Sequence, residues 1–235
     1  MSTQVGDPAA FYRMQIGAWV RDRLLRTSNA MKLPARGLDI FVVRNFLTKN
    51  ECDQLIALID KDRVPSGLLA ESPDPEFRTS ESCNLRITDR VNQVVEAKIN
   101  SLMGIQPQHG ETIQGQRYAV GQQFKEHHDF FYTSEPYWAE QEREGGQRTW
   151  TAMIFLNEPE AGGQTSFAKA GIQVTPRTGN LLAWNNLDEY GEPNTYSLHS
   201  GQPVEAGVKY VITKWYRERP WAWYGQHDVK PAQPY

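Results

Sequence analysis

Two histidines, one aspartate and one lysine in the second half of the chain have residue types and spacings that could bind a metal ion and an anion beside it. They are His127 and Asp129, two positions apart, the distant His199, and Lys209 ten positions after that histidine. Two imidazoles and one carboxylate on one face of an Fe(II) ion leave three coordination positions open for reacting groups. A cation at a fixed spacing beyond the last ligand indicates what takes two of those positions, namely a dicarboxylate cosubstrate. The sequence therefore predicts a reaction type more closely than a substrate.

The spacing of His127 and Asp129 suits metal binding only in the right local structure. In a β-strand, residues i and i+2 point to the same face, so a strand over 124–131 turns both side chains toward one ion and turns His128 away. A register shift of one residue would bring His128 into competition. Zinc is the rival metal, since three protein ligands also make a catalytic zinc site. Zinc-dependent hydrolysis, however, gives Lys209 no role, so the pattern favours Fe(II).

The segment between His199 and Lys209 predicts how the lysine approaches the metal. If this segment forms a strand, a turn and a returning strand, Lys209 lies beside His199 and its ammonium group reaches the far end of a ligand chelated to the metal. A buried lysine is costly without a partner, and a cosubstrate carboxylate would supply one. The alternative is a solvated lysine in an exposed hairpin.

Helical patterns come first in the chain and β-patterns follow. An amphipathic helix is predicted over 8–30, with a membrane-surface helix as the alternative. A capping box of Thr48 and Glu51 begins a second helix, and a third runs from residue 88 to a stop at Gly104. The predicted strands are 38–43, 112–120, 124–131, 149–157, 165–167, 172–174, 180–184, 197–199 and 209–216, and a mobile loop is predicted over 133–147. The expected fold is α+β, mainly β, with helices supporting one face of a sandwich, jelly roll or barrel.

Composition excludes several classes of protein. The 235 residues allow one domain with a sizeable core, and a net charge of -3 offers no basic field for nucleic acid or an anionic membrane. The two cysteines, Cys52 and Cys83, fit a reducing compartment better than a disulfide scaffold. The N-terminus does not read as a signal peptide, and no apolar run approaches the roughly 18 residues of a membrane span. We therefore expect a cytoplasmic protein with no nucleic-acid and no membrane partner.

Three stretches resemble the Fe(II)- and 2-oxoglutarate-dependent dioxygenases, in particular the catalytic domain of prolyl 4-hydroxylases. They read Tyr118-x-x-Gly121-Gln122-x-Phe124-x-x-His127-x-Asp129-x-Phe131, then Gly162-Gly163-Gln164-Thr165-x-Phe167, then His199-Ser200-Gly201-Gln202-Pro203-Val204-x-x-Gly207-x-Lys209. The resemblance covers residues 112–217 and extends more loosely back to residue 38. It implies a double-stranded β-helix, which is a jelly-roll variant and agrees with the strand-rich pattern.

The helical and strand patterns, together with the extent of the resemblance, predict a division of the chain. An N-terminal amphipathic helix or extension (1–36) precedes a helix-rich support region of the same fold (37–110), the dioxygenase core (111–218) and a C-terminal tail (219–235). The aromatic start of the tail is predicted to pack on the domain or to form an oligomer contact. The sequence leaves the oligomeric state open.

A role follows by resemblance for each matching residue. The implied iron ligands, which are also the catalytic residues, are His127, Asp129 and His199. Lys209 would pair with the distal carboxylate of 2-oxoglutarate, to which Tyr118 and Thr165 would offer hydroxyl groups. The implied reaction converts 2-oxoglutarate and O2 to succinate and CO2 and places one oxygen atom on an unactivated C–H bond, with ascorbate as reductant. In such a reaction the protein supplies positioning and protection.

The substrate is less well defined. Arg78 begins an Arg-Thr-Ser segment that resembles one preceding a substrate loop in prolyl 4-hydroxylases, but residues 81–84 are larger than the family's usual ones. Tyr132 and Trp215 are the other predicted substrate contacts, and aromatic residues near them suit an extended polyproline-like peptide. We interpret the chain as a hydroxylase of prolyl residues in a peptide or protein, at carbon 4. One alternative keeps the cofactors but acts on a free amino acid or other small molecule, and another is a non-catalytic jelly-roll binding module.

Overall fold

The computed structural model describes residues 8–70 and 72–225. In these residues the α-helices are α1 (Pro8–Leu25), α2 (Lys49–Asp62), α3 (Arg90–Met103) and α4 (Trp138–Arg143). The strands are β1 (Ala30–Lys32), β2 (Ile40–Val43), β3 (Val64–Pro65), β4 (Glu81–Asn84), β5 (Gln114–Tyr118), β6 (Phe124–His127), β7 (Arg148–Phe155), β8 (Ala161–Gly162), β9 (Thr165–Phe167), β10 (Ile172–Val174), β11 (Leu181–Asn185), β12 (His199–Gly201), β13 (Val204–Ala206) and β14 (Lys209–Arg217). Short 3-10 helices lie at Pro107–His109 and Thr195–Ser197.

The strands form one large and one small antiparallel sheet. The large sheet has the order β1-β2-β11-β7-β14-β5-β4-β3, and the small sheet has the order β10-β9-β12-β6. A separate pair joins β13 to β8. From β5 onward the chain passes back and forth between the two sheets, as in a jelly roll. This arrangement confirms the predicted α+β, mainly β fold with N-terminal supporting helices.

The central strand β7 is buried along its whole length because both faces of the large sheet are covered. On one face, Trp150, Ala152 and Ile154 lie in a hydrophobic core shared with the first three helices. On the other face, Met153 and Phe155 lie in a second core shared with strands of the small sheet. The helices thus support the large sheet from behind, while its front face closes on the small sheet.

Two helix signals read from the sequence are present as predicted. The hydroxyl of Thr48 accepts a hydrogen bond from the Glu51 amide, and the Glu51 carboxylate accepts one from the Thr48 amide, so the capping box is complete. Gly104 ends α3 in the left-handed conformation at φ 68°. The first helix stops earlier than predicted, at Leu25, because residues 30–32 pair with β2 as an edge strand.

Three local predictions were wrong. Strand β6 ends at His127, since the chain then bends and the Gln147 side chain holds the backbone of Phe131. Asp129 therefore lies beyond the strand. The segment predicted as a loop over 133–147 contains α4, and the segment predicted as a strand over 197–199 begins in a 3-10 helix, so that β12 starts only at His199.

The described part of the tail packs on the domain. The Trp221 amide donates to the carbonyl of Gln108, and the Trp223 indole donates to the Glu144 carboxylate at 2.7 Å. Residues 226–235 lie outside the described part of the chain. Within the described part, the cysteines are buried free thiols, and no helix is long and apolar enough to cross a membrane.

Candidate metal centre

The three predicted ligands come together between the two sheets. His127 ends β6 and His199 begins β12, and these two residues lie opposite each other in the antiparallel pairing of the small sheet. The Nε2 atom of His127 lies 3.9 Å from Oδ1 of Asp129, and Nε2 of His199 lies 3.9 Å from Oδ2. One donor atom from each residue lies within 4.8 Å of the other two. A single cation can therefore contact all three.

Backbone carbonyls orient both imidazoles for metal binding. Nδ1 of His127 lies 2.8 Å from the carbonyl oxygen of Lys125, and Nδ1 of His199 lies 2.8 Å from that of Ser197. A carbonyl oxygen only accepts, so each Nδ1 must carry the ring proton and donate it. The lone pair of each Nε2 is then free to bind a metal.

A pair of polar side chains holds the Asp129 carboxylate in place. The Thr151 hydroxyl donates to Oδ2 of Asp129 at 2.7 Å, and the Asn186 amide nitrogen donates to the Thr151 oxygen at 2.9 Å. All three residues are buried. Since Asp129 lies beyond the end of its strand, this chain of hydrogen bonds replaces the strand in fixing the carboxylate. Sequence reasoning missed Thr151 and Asn186.

Protonation also favours metal binding. Burial opposes ionisation of Asp129, but electrostatic interactions with His199, His127 and Arg148 and the hydrogen bond from Thr151 leave its pKa below the usual value. Burial, with a smaller effect of His199, lowers the pKa of His127 well below its usual value. At neutral pH the site therefore presents a carboxylate and a neutral imidazole, the forms in which these side chains bind metals. Two imidazoles and a carboxylate fit Fe(II).

Lys209 reaches the site from the opposite sheet. It begins β14 in the large sheet and lies opposite Tyr118 in the pairing with β5, whereas His199 lies in the small sheet. The predicted hairpin between His199 and Lys209 was wrong, because β13 intervenes and pairs with β8. The two residues nevertheless line one cavity, together with Thr165 and the metal ligands. A Cβ atom at Gly201 would lie 3.9 Å from the Lys209 ammonium, which shows how close the small sheet comes.

Lys209 and Thr165 have polar groups that the described residues leave without partners. Lys209 is 2% exposed, and no described carboxylate forms a salt bridge with it. Burial lowers its pKa to about 7. The buried hydroxyl of Thr165 also has no hydrogen-bond partner among the residues that the structure describes. A carboxylate bound between the two would satisfy both groups, so the cavity fits the distal end of 2-oxoglutarate.

We expect Lys209→Met to stabilise the protein in the absence of cosubstrate, because it removes a desolvated cation. Below pH 7 the lysine is charged in both the folded and the unfolded protein. The increase in the free energy of unfolding caused by the substitution is therefore greatest there, on the order of 2–4 kcal/mol. Between the folded pKa of about 7 and the unfolded value of 10.5, the unfolded chain alone binds the proton, so wild-type stability rises with pH. The gain from the substitution should therefore fade over that range. Urea unfolding of both proteins across that range measures it, and a gain that does not depend on pH would contradict the lysine's desolvation.

The predicted substrate residues line a larger cleft beside the metal ligands. This cleft has a volume of about 330 Å³ and is mostly apolar, and its walls include Arg78, Tyr132 and Trp215. Trp215 lines this cleft and the cosubstrate cavity as well. His128 points into the cleft rather than toward the metal, and its Nδ1 lies 2.7 Å from the Tyr132 hydroxyl. Among the described residues, His128 lies outside the trio of candidate metal ligands.

A buried ionic cluster that sequence reasoning missed supports the cleft. Arg148 donates to both carboxylate oxygens of Glu111 at 2.7 Å, and Arg217 forms an ion pair with the same carboxylate. Burial raises the pKa of Glu111, but the two arginines bring it below its usual value. The Arg148 guanidinium lies 4.2 Å from the ring centre of Trp215 and 4.8 Å from that of Phe131. The cluster thereby fixes two aromatic walls of the site.

Comparisons with known proteins agree with this site. Residues 113–217 match the model of the 2OG-Fe(II) oxygenase superfamily. Probable prolyl 4-hydroxylase 8 of Arabidopsis thaliana is 32% identical over 200 residues, which are 75% of this chain and 67% of that protein. Prolyl 4-hydroxylase 5 of the same plant is 32% identical over 199 residues, or 74% of this chain and 67% of that protein.

A solved structure is similar over most of the chain. The viral collagen prolyl hydroxylase of Paramecium Bursaria Chlorella virus-1, in its 2-oxoglutarate complex, superposes with a TM-score of 0.60 at 25% identity. The match covers 76% of this chain and 95% of that one. Family model, relatives and metal-binding trio agree, and the chain belongs to the 2OG-Fe(II) oxygenase superfamily as an enzyme of the prolyl 4-hydroxylase-like type.

Proposed function

We propose that this oxygenase hydroxylates prolyl residues in a peptide or protein, at carbon 4, and forms succinate and CO2 as coproducts. The observation that carries the proposal is the placement of His127, Asp129 and His199 between two cavities of different character. One cavity is small and holds a buried lysine that no carboxylate of the described residues pairs with, and the other is wide and mostly apolar. The first suits a dicarboxylate and the second suits a larger organic substrate.

The chain's own residues position the reacting groups. The iron ligands are His127, Asp129 and His199, and Lys209 and Thr165 bind the distal carboxylate of 2-oxoglutarate. Tyr118 lines the same cavity, and its ring centre lies 5.2 Å from the lysine ammonium. When bound, iron and 2-oxoglutarate supply the oxidative chemistry with O2. The surrounding aromatic and aliphatic walls exclude water, which protects reactive groups from side reactions. We also propose ascorbate as the reductant.

The shape and chemistry of the wide cleft favour a peptide over a free amino acid. Its aromatic walls, which include Phe130, Phe131 and Tyr137, resemble the grooves that bind polyproline helices in other proteins. Such a peptide is already extended, so binding costs little conformational entropy. Arg78 lines the cleft and carries donors for peptide carbonyl groups. The names of the relatives as prolyl 4-hydroxylases point the same way.

Mass spectrometry of peptides tests the proposal. We expect a proline-rich peptide, incubated with the protein, Fe(II), 2-oxoglutarate and ascorbate, to gain one oxygen atom on proline. The matched peptide with alanine in place of proline should remain unchanged, and free proline should stimulate 2-oxoglutarate turnover little. If free proline stimulates 2-oxoglutarate turnover as much as the proline-rich peptide or more, the small-molecule alternative is favoured. Failure to bind Fe(II) at all would favour the non-catalytic binding module.

Three further predictions stay open. We propose a cytoplasmic location, which the buried free thiols Cys52 and Cys83 support. We also propose no nucleic-acid and no membrane partner, in agreement with the net charge of -3. The division of the chain at residues 36, 110 and 218 remains a prediction as well.

A further inference from the structure

A line of buried polar side chains connects the substrate cleft to the cosubstrate cavity. Gln114, Gln116 and Tyr118 alternate along β5, so they share the face that is turned toward the small sheet. Arg78 donates to Oε1 of Gln114 at 2.9 Å, and the Gln116 amide nitrogen donates to the same oxygen at 3.0 Å. The Tyr118 hydroxyl then donates to Oε1 of Gln116 at 2.8 Å. Arg78 lines the substrate cleft and Tyr118 lines the cosubstrate cavity.

The direction of every hydrogen bond in this line follows from Arg78. A guanidinium group only donates, so Gln114 must present its oxygen to it. The Gln114 oxygen is then the acceptor that faces Gln116, which must present its amide nitrogen. The oxygen of Gln116 consequently faces Tyr118, and the tyrosine hydroxyl must donate to it. The cation at one end thus fixes amide orientations that are otherwise hard to assign.

Tyr118 has only one proton to donate. Burial raises the pKa of its phenol, against smaller opposing effects of the Arg78 charge and of a hydrogen bond from Ser80, so the hydroxyl stays protonated at neutral pH. Arg78 also donates to the Ser80 hydroxyl at 3.3 Å, and the Ser80 oxygen lies 3.0 Å from that of Ser66. With its proton directed to Gln116, the phenol presents only a lone pair to the cosubstrate cavity.

We propose that Arg78, Gln114 and Gln116 form a directional relay that keeps the Tyr118 proton away from the cosubstrate carboxylate. This proposal rests on the proposed function, in which that cavity binds 2-oxoglutarate. The bond to Gln116 competes with the carboxylate for the Tyr118 proton, so a hydrogen bond from Tyr118 to the carboxylate forms at the cost of the bond to Gln116 until the relay is released. A substrate carbonyl that accepts the Arg78 hydrogen bond frees Gln114 to turn, and Gln116 and Tyr118 can follow. Gln114 and Gln116 are therefore positioning residues that couple the two sites.

A double-mutant cycle on Gln116 and Tyr118 tests the relay. The four proteins are wild type, Gln116→Met, Tyr118→Phe and the double variant, each loaded with Fe(II) and titrated with 2-oxoglutarate by anaerobic calorimetry. Methionine has a similar length and no amide, so Gln116→Met should free the Tyr118 proton for the carboxylate. We expect the affinity of Gln116→Met for 2-oxoglutarate to rise roughly three- to tenfold over wild type, since a hydrogen bond to a charged acceptor is stronger than one to an amide. In the Tyr118→Phe background the same substitution should change nothing.

The cycle distinguishes the relay from a purely structural role of Gln116. It also distinguishes failure of the relay from failure of the proposed function. Unchanged or weaker binding in Gln116→Met, or an equal change in both backgrounds, overturns the relay. Gln114→Met provides a second variant, because it lets Gln116 turn its amide toward Tyr118 and should also tighten binding. Unchanged affinity in Gln114→Met overturns the part of the relay that begins at Arg78. Wild-type protein that binds no 2-oxoglutarate contradicts the proposed function itself, whatever the variants do.

Discussion

Replacing His199 with alanine is expected to abolish turnover and to weaken Fe(II) binding by at least about 100-fold, because it removes one of three ligands from the metal. The remaining imidazole and carboxylate belong to His127 and Asp129, whose closest donor atoms lie 3.9 Å apart. Two ligands cannot hold the ion in the fixed geometry that the reaction requires. Anaerobic Fe(II) titration and succinate formation measure the two effects separately.

His128 provides a matched control for this experiment. It is adjacent to His127, but its imidazole bonds to the Tyr132 hydroxyl in the substrate cleft. We therefore expect His128→Ala to bind Fe(II) with the affinity of the wild type. Loss of iron binding in His128→Ala would show that this segment has been assigned in the wrong register, and normal iron binding in His199→Ala would show that His199 is not a ligand.

Replacing Lys209 with methionine is expected to weaken 2-oxoglutarate binding by about 100-fold while leaving Fe(II) affinity unchanged. Removing one partner of a buried charge pair costs several kcal/mol, since the other charge stays buried without compensation. The same substitution is expected to stabilise the protein without cosubstrate, so binding and stability should change in opposite directions. Titration of 2-oxoglutarate into iron-loaded protein measures the affinity. A loss of iron affinity equal to that of His199→Ala would show that the role of the lysine is misassigned.

Lys214 is the matched control for Lys209. Both are buried lysines of β14, but Lys214 forms an ion pair with Glu96 at 2.6 Å and donates to the backbone carbonyl of Glu111 at 2.9 Å. Lys214→Met should therefore lower stability and leave the 2-oxoglutarate affinity as it is. Weaker cosubstrate binding in Lys214→Met of the same size as in Lys209→Met would indicate a general effect of charge or folding.

The sequence predicted which residues meet at the site better than how they reach it. His127 and His199 occupy opposite positions in one sheet, as separate strands allow. Asp129 was expected to follow from strand alternation, yet it reaches the site through a bend held by Gln147 and Thr151. Such a bend depends on side chains that are distant in the sequence, and periodicity carries no information about them.

The pairing of strands explains a second difference. Lys209 was expected to return beside His199 in a hairpin, but the chain crosses to the large sheet through β13. Short strands with glycine and proline between them predict turns, but they do not specify which sheet the next strand joins. Lys209 and His199 nevertheless line one cavity, because the crossing brings β14 to face the small sheet.

The buried polar groups beyond the ligands were the least predictable part. Gln114, Gln116 and Tyr118 do show a period-two pattern of polar residues, which in hindsight marks one face of a strand. The same pattern is typical of a strand with one face in water. Only the packing of the small sheet against that face makes these side chains buried, and only their partner Arg78 gives the line a direction.

Anaerobic calorimetry with Fe(II) followed by 2-oxoglutarate tests the assigned metal centre most directly. We expect one Fe(II) ion per chain, bound through His127, Asp129 and His199, and then one 2-oxoglutarate that binds tightly only after iron has been added. Binding of 2-oxoglutarate with equal affinity before and after iron, or the absence of stoichiometric iron binding, would contradict this assignment.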